Sequence, residues 1–189
     1  MQENQRVRVS KQLLRTGLTD LLLEKSIHKI SVREICDRAE INRTTFYKYY
    51  GSQYDLLADM ENEVLTQIDH FLSSCSNDSK DNLQQLTRTI AFVGEHSTLC
   101  QILFNNNVDP SFPERLINLP RIRHMVTDHL QTEDNEDNLE YMYSFVVNGG
   151  FSIIKSWLNK EVQETPEDIA ALLNITISKL FPAIMQQCD

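Results

Sequence analysis

Residues 30–57 read ISVREICDRAEINRTTFYKYYGSQYDLL, and this stretch decides how the chain folds. Ser31 followed three residues later by Glu34 predicts a capping box, in which each side chain satisfies the other residue's free backbone N–H. A short helix over about 32–39 follows from it. Ala39-Glu40-Ile41 then interrupts the pattern. Asn42, whose side-chain oxygen can accept from a freed N–H, starts another helix through Arg43-Thr44-Thr45-Phe46-Tyr47-Lys48-Tyr49-Tyr50. Two short helices joined by a few residues form a helix-turn-helix candidate. Gly51 is expected to end the second of them in the left-handed conformation, and Ser52-Gln53-Tyr54-Asp55 to cap a longer helix reaching about residue 74.

Outward from this core the same periodicity continues. Val9, Leu13, Leu14, Leu18, Leu21 and Leu22 recur at helical spacing with Arg8, Lys11, Arg15 and Asp20 between them, predicting an amphipathic helix over about 5–25. Beyond the polar run Ser73–Asp81, helices are expected at about 82–95, 97–104, 112–131 and 138–159. Pro120 should kink or split the third of these. Thr165-Pro166-Glu167-Asp168 starts a last helix to about 181, with a hydroxyl at the cap, proline in the first turn and acids against the dipole. The expected class is all-α, with about nine helices. A three-helix head over residues 1–52 precedes a helical body over 53–189.

The net charge of −9 is unevenly placed. Residues 1–55 hold ten Lys/Arg against seven Asp/Glu, and the remainder holds eight against twenty. A basic head on an acidic body suits an anionic partner at one end only, although a fluctuation of a few charges would look similar. No apolar run approaches the ~18 residues of a membrane span, and the start MQENQRVRVS lacks the apolar core of a signal peptide. A cytoplasmic protein is therefore expected. Cys36, Cys75, Cys100 and Cys188 are widely spaced plain thiols. His28, His70, His96, His124 and His129 show no metal-ligand spacing, and no nucleophile or phosphate loop appears, so neither enzyme, metal nor cofactor is expected.

Residues 30–57 closely resemble the DNA-binding signature of the TetR family. The family pattern is a capped helix ending in Ala-Gly-(Ile/Val), a polar cap, a helix reading Thr-Phe-Tyr-x-(His/Tyr)-(Phe/Tyr), and a small-residue turn. Here Ala39-Glu40-Ile41, Asn42 and Thr45-Phe46-Tyr47-Lys48-Tyr49-Tyr50 correspond. The resemblance implies that double-stranded DNA is the partner, and that Arg33 near the start of the first helix contacts a base. It also implies that Ser31 both caps and touches the DNA backbone. Two positions depart from the pattern. Gln53 stands where the family usually has a phosphate-touching Lys, and Glu40 replaces the turn Gly. The C-terminal half loosely resembles the branch containing regulators of dihydroxyacetone kinase operons, in which a protein can replace the small effector.

The residues themselves support that reading. A recognition helix turns one face to its core and the other to the major groove. Phe46 is the expected anchor, helped by Ile35 and Ile41. That leaves Arg43, Thr44, Thr45, Tyr47 and Lys48 outward, with Tyr49 beside them. Arg43 suits a guanine edge, Thr44 and Thr45 a thymine methyl or phosphate, and Tyr47 and Lys48 phosphate. Solvated Arg and Lys, and tyrosines packed on the first helix, are the plain alternative. The last two helices are apolar nearly all round, which predicts a homodimer through them, with a larger monomeric core as the alternative. Gly149-Gly150 inside one of them calls for close helix contact or a break. No effector-binding residue is identifiable, and Phe71, Phe92, Phe104 and Met125 read as core. A family member that serves as a protein-binding adaptor, with little DNA affinity, is the rival function.

Overall fold

The structure is a computed structural model that describes residues 5–73, 79–105, 108–127, 136–160 and 164–177. Among these, ten α-helices and no strand are found. They are α1 (Gln5–Glu24), α2 (Val32–Ala39), α3 (Arg43–Tyr47), α4 (Gln53–Leu72) and α5 (Ser79–Glu95). Then come α6 (Ser97–Leu103), α7 (Phe112–Ile117), α8 (Pro120–Thr127), α9 (Glu136–Leu158) and α10 (Pro166–Ile175). The tenth helix arises where Pro120 was expected to act. Lacking an N–H, it opens a new helix instead of continuing the old one, which splits the 112–131 segment into α7 and α8. The Ser26–Ile30 connector forms a 3-10 turn over Ile27–Lys29. Cys75, Cys188, His129, Leu180 and Phe181 lie outside the described residues.

The chain divides into two compact units, the first holding residues 1–65 and 102–112 and the second 66–101 and 113–189. In the first, Leu14, Leu18, Ile27, Ile35, Phe46, Leu56 and Met60 are buried. Of the apolar face that the periodicity marked on α1, Leu14, Leu18, Leu21 and Leu22 are buried, whereas Val9 and Leu13 are 53% and 44% exposed. α1 and α2 approach closely at Gly17, where an added Cβ would stand 3.2 Å from the Ile35 carbonyl oxygen. Phe104 stacks on Phe112 with ring centroids 6.2 Å apart, so the 102–112 segment adds aromatic bulk to the same unit.

In the second unit α5 packs along α10 and α8 on α9. Tyr143, Val146, Val147 and Val126 form a buried cluster, and the Tyr143 hydroxyl donates to the Ile117 carbonyl at 2.6 Å. Trp157 lies against Gly94, where a Cβ would meet the ring at 2.9 Å, and its indole N–H donates to the Glu164 carbonyl at 2.8 Å. Glycine at 94 is thus a space requirement rather than a turn. Thr165 caps α10 as expected, and Asp168 completes a capping box with it. Phe104 is buried as expected, whereas Phe71, Phe92 and Met125 are half-buried. Both described thiols, Cys36 and Cys100, are free and buried, and burial pushes the Cys100 thiol up to about 12.

Candidate nucleic-acid interface

The head is built from its caps upward. Ser31 Oγ accepts from the Glu34 N–H at 3.3 Å, while the Glu34 carboxylate accepts from the Ser31 N–H at 3.0 Å. Lys25 from the end of α1 donates to the other Glu34 oxygen at 2.5 Å. That bond first, then those from Ser31, holds the Glu34 carboxyl down at about 2. The start of α2 is therefore tied to α1 by a cap that stays ionised through the neutral range. Asn42 Oδ1 accepts from the Thr44 N–H at 2.9 Å, closing the start of α3.

Between the two caps, Glu40 adopts φ 54° and ψ 36°, the only positive φ among the described non-glycine residues. The Ile41 N–H reaches back to the Cys36 carbonyl at 3.0 Å across this residue, so the left-handed kink is what ends α2. An L-residue in that conformation costs roughly 1–2 kcal/mol, against about 0.5–1 of extra chain entropy lost by glycine. Glu40→Gly is accordingly expected to raise the melting temperature by a few degrees, as followed by circular dichroism. A drop would mean that the Glu40 side chain contributes contacts outweighing the strain.

α3 ends at Tyr47, earlier than the sequence pattern predicts, and the chain turns through Tyr49 and Tyr50 with both N–H groups on the Phe46 carbonyl at 2.9 Å. The left-handed Gly51 expected there is not found, because no glycine has positive φ. Gly51 instead leaves room for the Asp55 carboxylate, which accepts its N–H at 2.9 Å and stands 2.8 Å from where a Cβ would be. The first turn of α4 thus receives the exit from α3.

Phe46 is fully buried and Ile35 likewise, while Ile41 is half-buried. Arg43, Thr44, Tyr47 and Lys48 are exposed, Tyr47 by 58% although it adjoins the buried anchor. Thr45 and Tyr49 are half-buried, and Lys48 lies 5.8 Å from the Tyr49 ring centre. Ser31 and Arg33 are exposed on α2, and Arg33 pairs with Asp37 one turn on at 3.4 Å. Arg43 has no ion pair among the described residues. The result is one short helix whose outer side carries guanidinium, hydroxyl, phenol and ammonium groups, with Arg33 and Ser31 on its neighbour. Gln53, the first residue of α4, is half-buried. Beside it the exposed Tyr54 hydroxyl meets His28 Nδ1 at 3.0 Å.

Sequence reasoning missed one cluster. The Tyr50 hydroxyl and Arg15 Nη2 both donate to the same Asp59 oxygen, each at 2.7 Å, and Arg15 also pairs with Glu63. Burial would raise the Asp59 carboxyl, but the bonds from Arg15 and Tyr50 hold it below its ordinary value. Burial, then the bond to Asp59, pushes the Tyr50 phenol up, so it stays a donor. The available signal was an acid pair at i,i+4 on α4 facing a half-buried basic position of α1. Among the described residues no His, Cys, Asp and Glu cluster fits a metal, and no helix is long and apolar enough to cross a membrane.

Two capped short helices, a strained turn between them and a buried aromatic under an outward polar row define an all-helical helix-turn-helix protein. Family comparison agrees over both halves: residues 16–60 match the model for bacterial regulatory proteins of the tetR family, and residues 80–179 match a transcriptional regulator C-terminal region. The chain belongs to the TetR family of transcriptional regulators. It is 22% identical over 162 residues to the HTH-type transcriptional regulator YxbF of Bacillus subtilis strain 168, covering 83% of this chain. It spans only 42% of that relative's length. Among solved structures, a putative TetR-family regulator from Syntrophomonas wolfei superposes with a TM-score of 0.67 at 20% identity, covering 92% of this chain and 95% of that one. The dihydroxyacetone kinase operon activator DhaS superposes with a TM-score of 0.59 at 16% identity, covering 94% and 96%. At such identities the likeness is one of fold.

Proposed function

We propose that this chain is a sequence-specific DNA-binding transcriptional regulator that binds a palindromic operator as a homodimer and represses by occupying it. The outward row on α3 carries the proposal, because Arg43, Thr44, Tyr47 and Lys48 are exposed while Phe46 between them is fully buried. In this reading Arg43 and Arg33 address base edges. Ser31, Thr44, Thr45, Tyr47, Lys48 and Tyr49 address phosphates or a thymine methyl. Residues 1–52 act as the head, and residues 53–189 supply dimerisation and the place for a small effector or a protein partner.

Selection of bound sequences from random duplex DNA, followed by gel shifts at two salt concentrations, tests the reading. A two-fold symmetric sequence should be enriched, and log affinity should fall by roughly 0.9 per log unit of salt for each phosphate contacted. No enrichment, or an affinity indifferent to salt, would favour the adaptor function instead.

For the dimer, the supporting observation is the set of exposed apolar residues on α9 and α10. Tyr141 and Phe145, one turn apart, are 76% and 71% exposed, and Leu172 and Ile175 are about half exposed. α9 runs unbroken through Gly149-Gly150. A Cβ at 150 would meet Leu173 at an ordinary 3.5 Å, and one at 149 would meet nothing within 4 Å. Among the described residues neither a break nor close packing accounts for Gly149, whereas an approaching second helix would. Phe145→Glu is expected to leave the melting temperature of the monomer nearly unchanged and to weaken dimerisation by about 100-fold or more, since a carboxylate would be buried unpaired. Sedimentation velocity at micromolar concentration reads this, and a wild-type chain found only as monomer would sink the dimer.

A further inference from the structure

We infer that Tyr50, through its hydrogen bond to Asp59, is a positioning residue that sets the rotation of the recognition helix and so determines how selectively the protein reads DNA. This rests on the DNA-binding function proposed above. α3 has five residues, a length of about 7.5 Å, and only Phe46 among them is buried. A helix that short has no stability of its own and is held where its surroundings hold it. One apolar anchor fixes a point but leaves roll about that point, because hydrophobic contact is non-directional. Base readout tolerates little roll, on the order of 10–20°.

The second attachment is directional. Tyr50 rides on the turn that closes α3, and its N–H is bonded to the Phe46 carbonyl. Its ring is buried 5.7 Å from the Phe46 ring centre. Its hydroxyl meets an Asp59 oxygen that Arg15 also holds, and Arg15 is held in turn by Glu63. That one oxygen therefore joins α1, α4 and the end of α3 by two short charge-assisted bonds. Arg43 lies seven residues before Tyr50, at the far end of α3, so a change of roll at Tyr50 re-aims Arg43 and Tyr47 together. Tyr50→Phe deletes the directional bond and keeps the ring, leaving Asp59 still satisfied by Arg15.

The test uses full-length wild type, Tyr50→Phe, Asp59→Asn and the double variant. Each is titrated against the operator selected with wild type and against a random duplex at one salt concentration, with melting temperatures measured alongside. Tyr50→Phe should bind the operator about tenfold more weakly and random DNA at most about twofold more weakly, with the melting temperature lowered by no more than a few degrees. The double variant should bind no more weakly than Asp59→Asn alone, which already disrupts the Tyr50 bond together with the Arg15 ion pair. A repeat of the selection with Tyr50→Phe should return a less restrictive sequence. Operator binding within twofold of wild type, or equal losses on both DNAs, would overturn the assignment. If wild type itself prefers no sequence, the underlying DNA-binding function fails before any variant is compared, and the positioning role falls with it.

Discussion

Arg43→Ala is expected to weaken binding to the selected operator by about 1–3 kcal/mol and to relax the choice of base at one position, with a much smaller loss on random DNA. The reason is local. Arg43 opens α3 directly after the Asn42 cap, is exposed, and has no ion pair among the described residues, so its guanidinium is available for a bidentate bond to a base edge. Lys48, at the other end of the helix, presents a flexible point charge suited to phosphate. Lys48→Ala should weaken all DNA by a similar amount and lower the salt slope by about one unit. Fluorescence anisotropy on operator and random duplexes at several salt concentrations separates the two patterns. Equal losses on both DNAs for both variants would count against the assignment of roles.

Phe46→Ala is expected to cost about 3–5 kcal/mol of folding stability, a large part of the ~5–15 that a domain of ordinary stability possesses. Phe46 is fully buried and is the only such side chain in α3, so its removal leaves a cavity and releases the helix together. Urea denaturation followed by circular dichroism measures the loss, and operator binding should disappear with it. The neighbouring residue supplies the contrast. Tyr47 is 58% exposed, so Tyr47→Ala should change stability by no more than about 0.5 kcal/mol while weakening DNA binding. A loss below about 1 kcal/mol for Phe46→Ala would mean that α3 is held by something other than this anchor.

The elements most legible in the sequence were those whose causes are local. The Ser31–Glu34 and Thr165–Asp168 capping boxes and the Asn42 cap stand where short-range chemistry put them, and α2, α3 and α10 start accordingly. Glu40 was marked only by the family resemblance, as the residue standing where the turn glycine usually is, and the structure places it in the left-handed region. Gly51 was misread because glycine serves two purposes, backbone freedom and space. Nothing in the adjacent residues distinguishes a left-handed cap from room for the Asp55 carboxylate. Arg15 was read as a solvated residue of an amphipathic helix, since its partners Asp59 and Glu63 are more than forty positions away.

Sequence alone determined the helical class, the order and caps of the helices, and which side of the recognition helix is apolar. All of these follow from propensities, spacings of three and four residues, and hydrogen bonds that close within one turn. Only the tertiary structure decided that Tyr50, Asp59 and Arg15 meet on one oxygen, and that Tyr141 and Phe145 are largely exposed. Each of these depends on how separate helices are oriented in three dimensions, and that orientation is set by the packing of whole faces rather than by any one residue's neighbours in the chain.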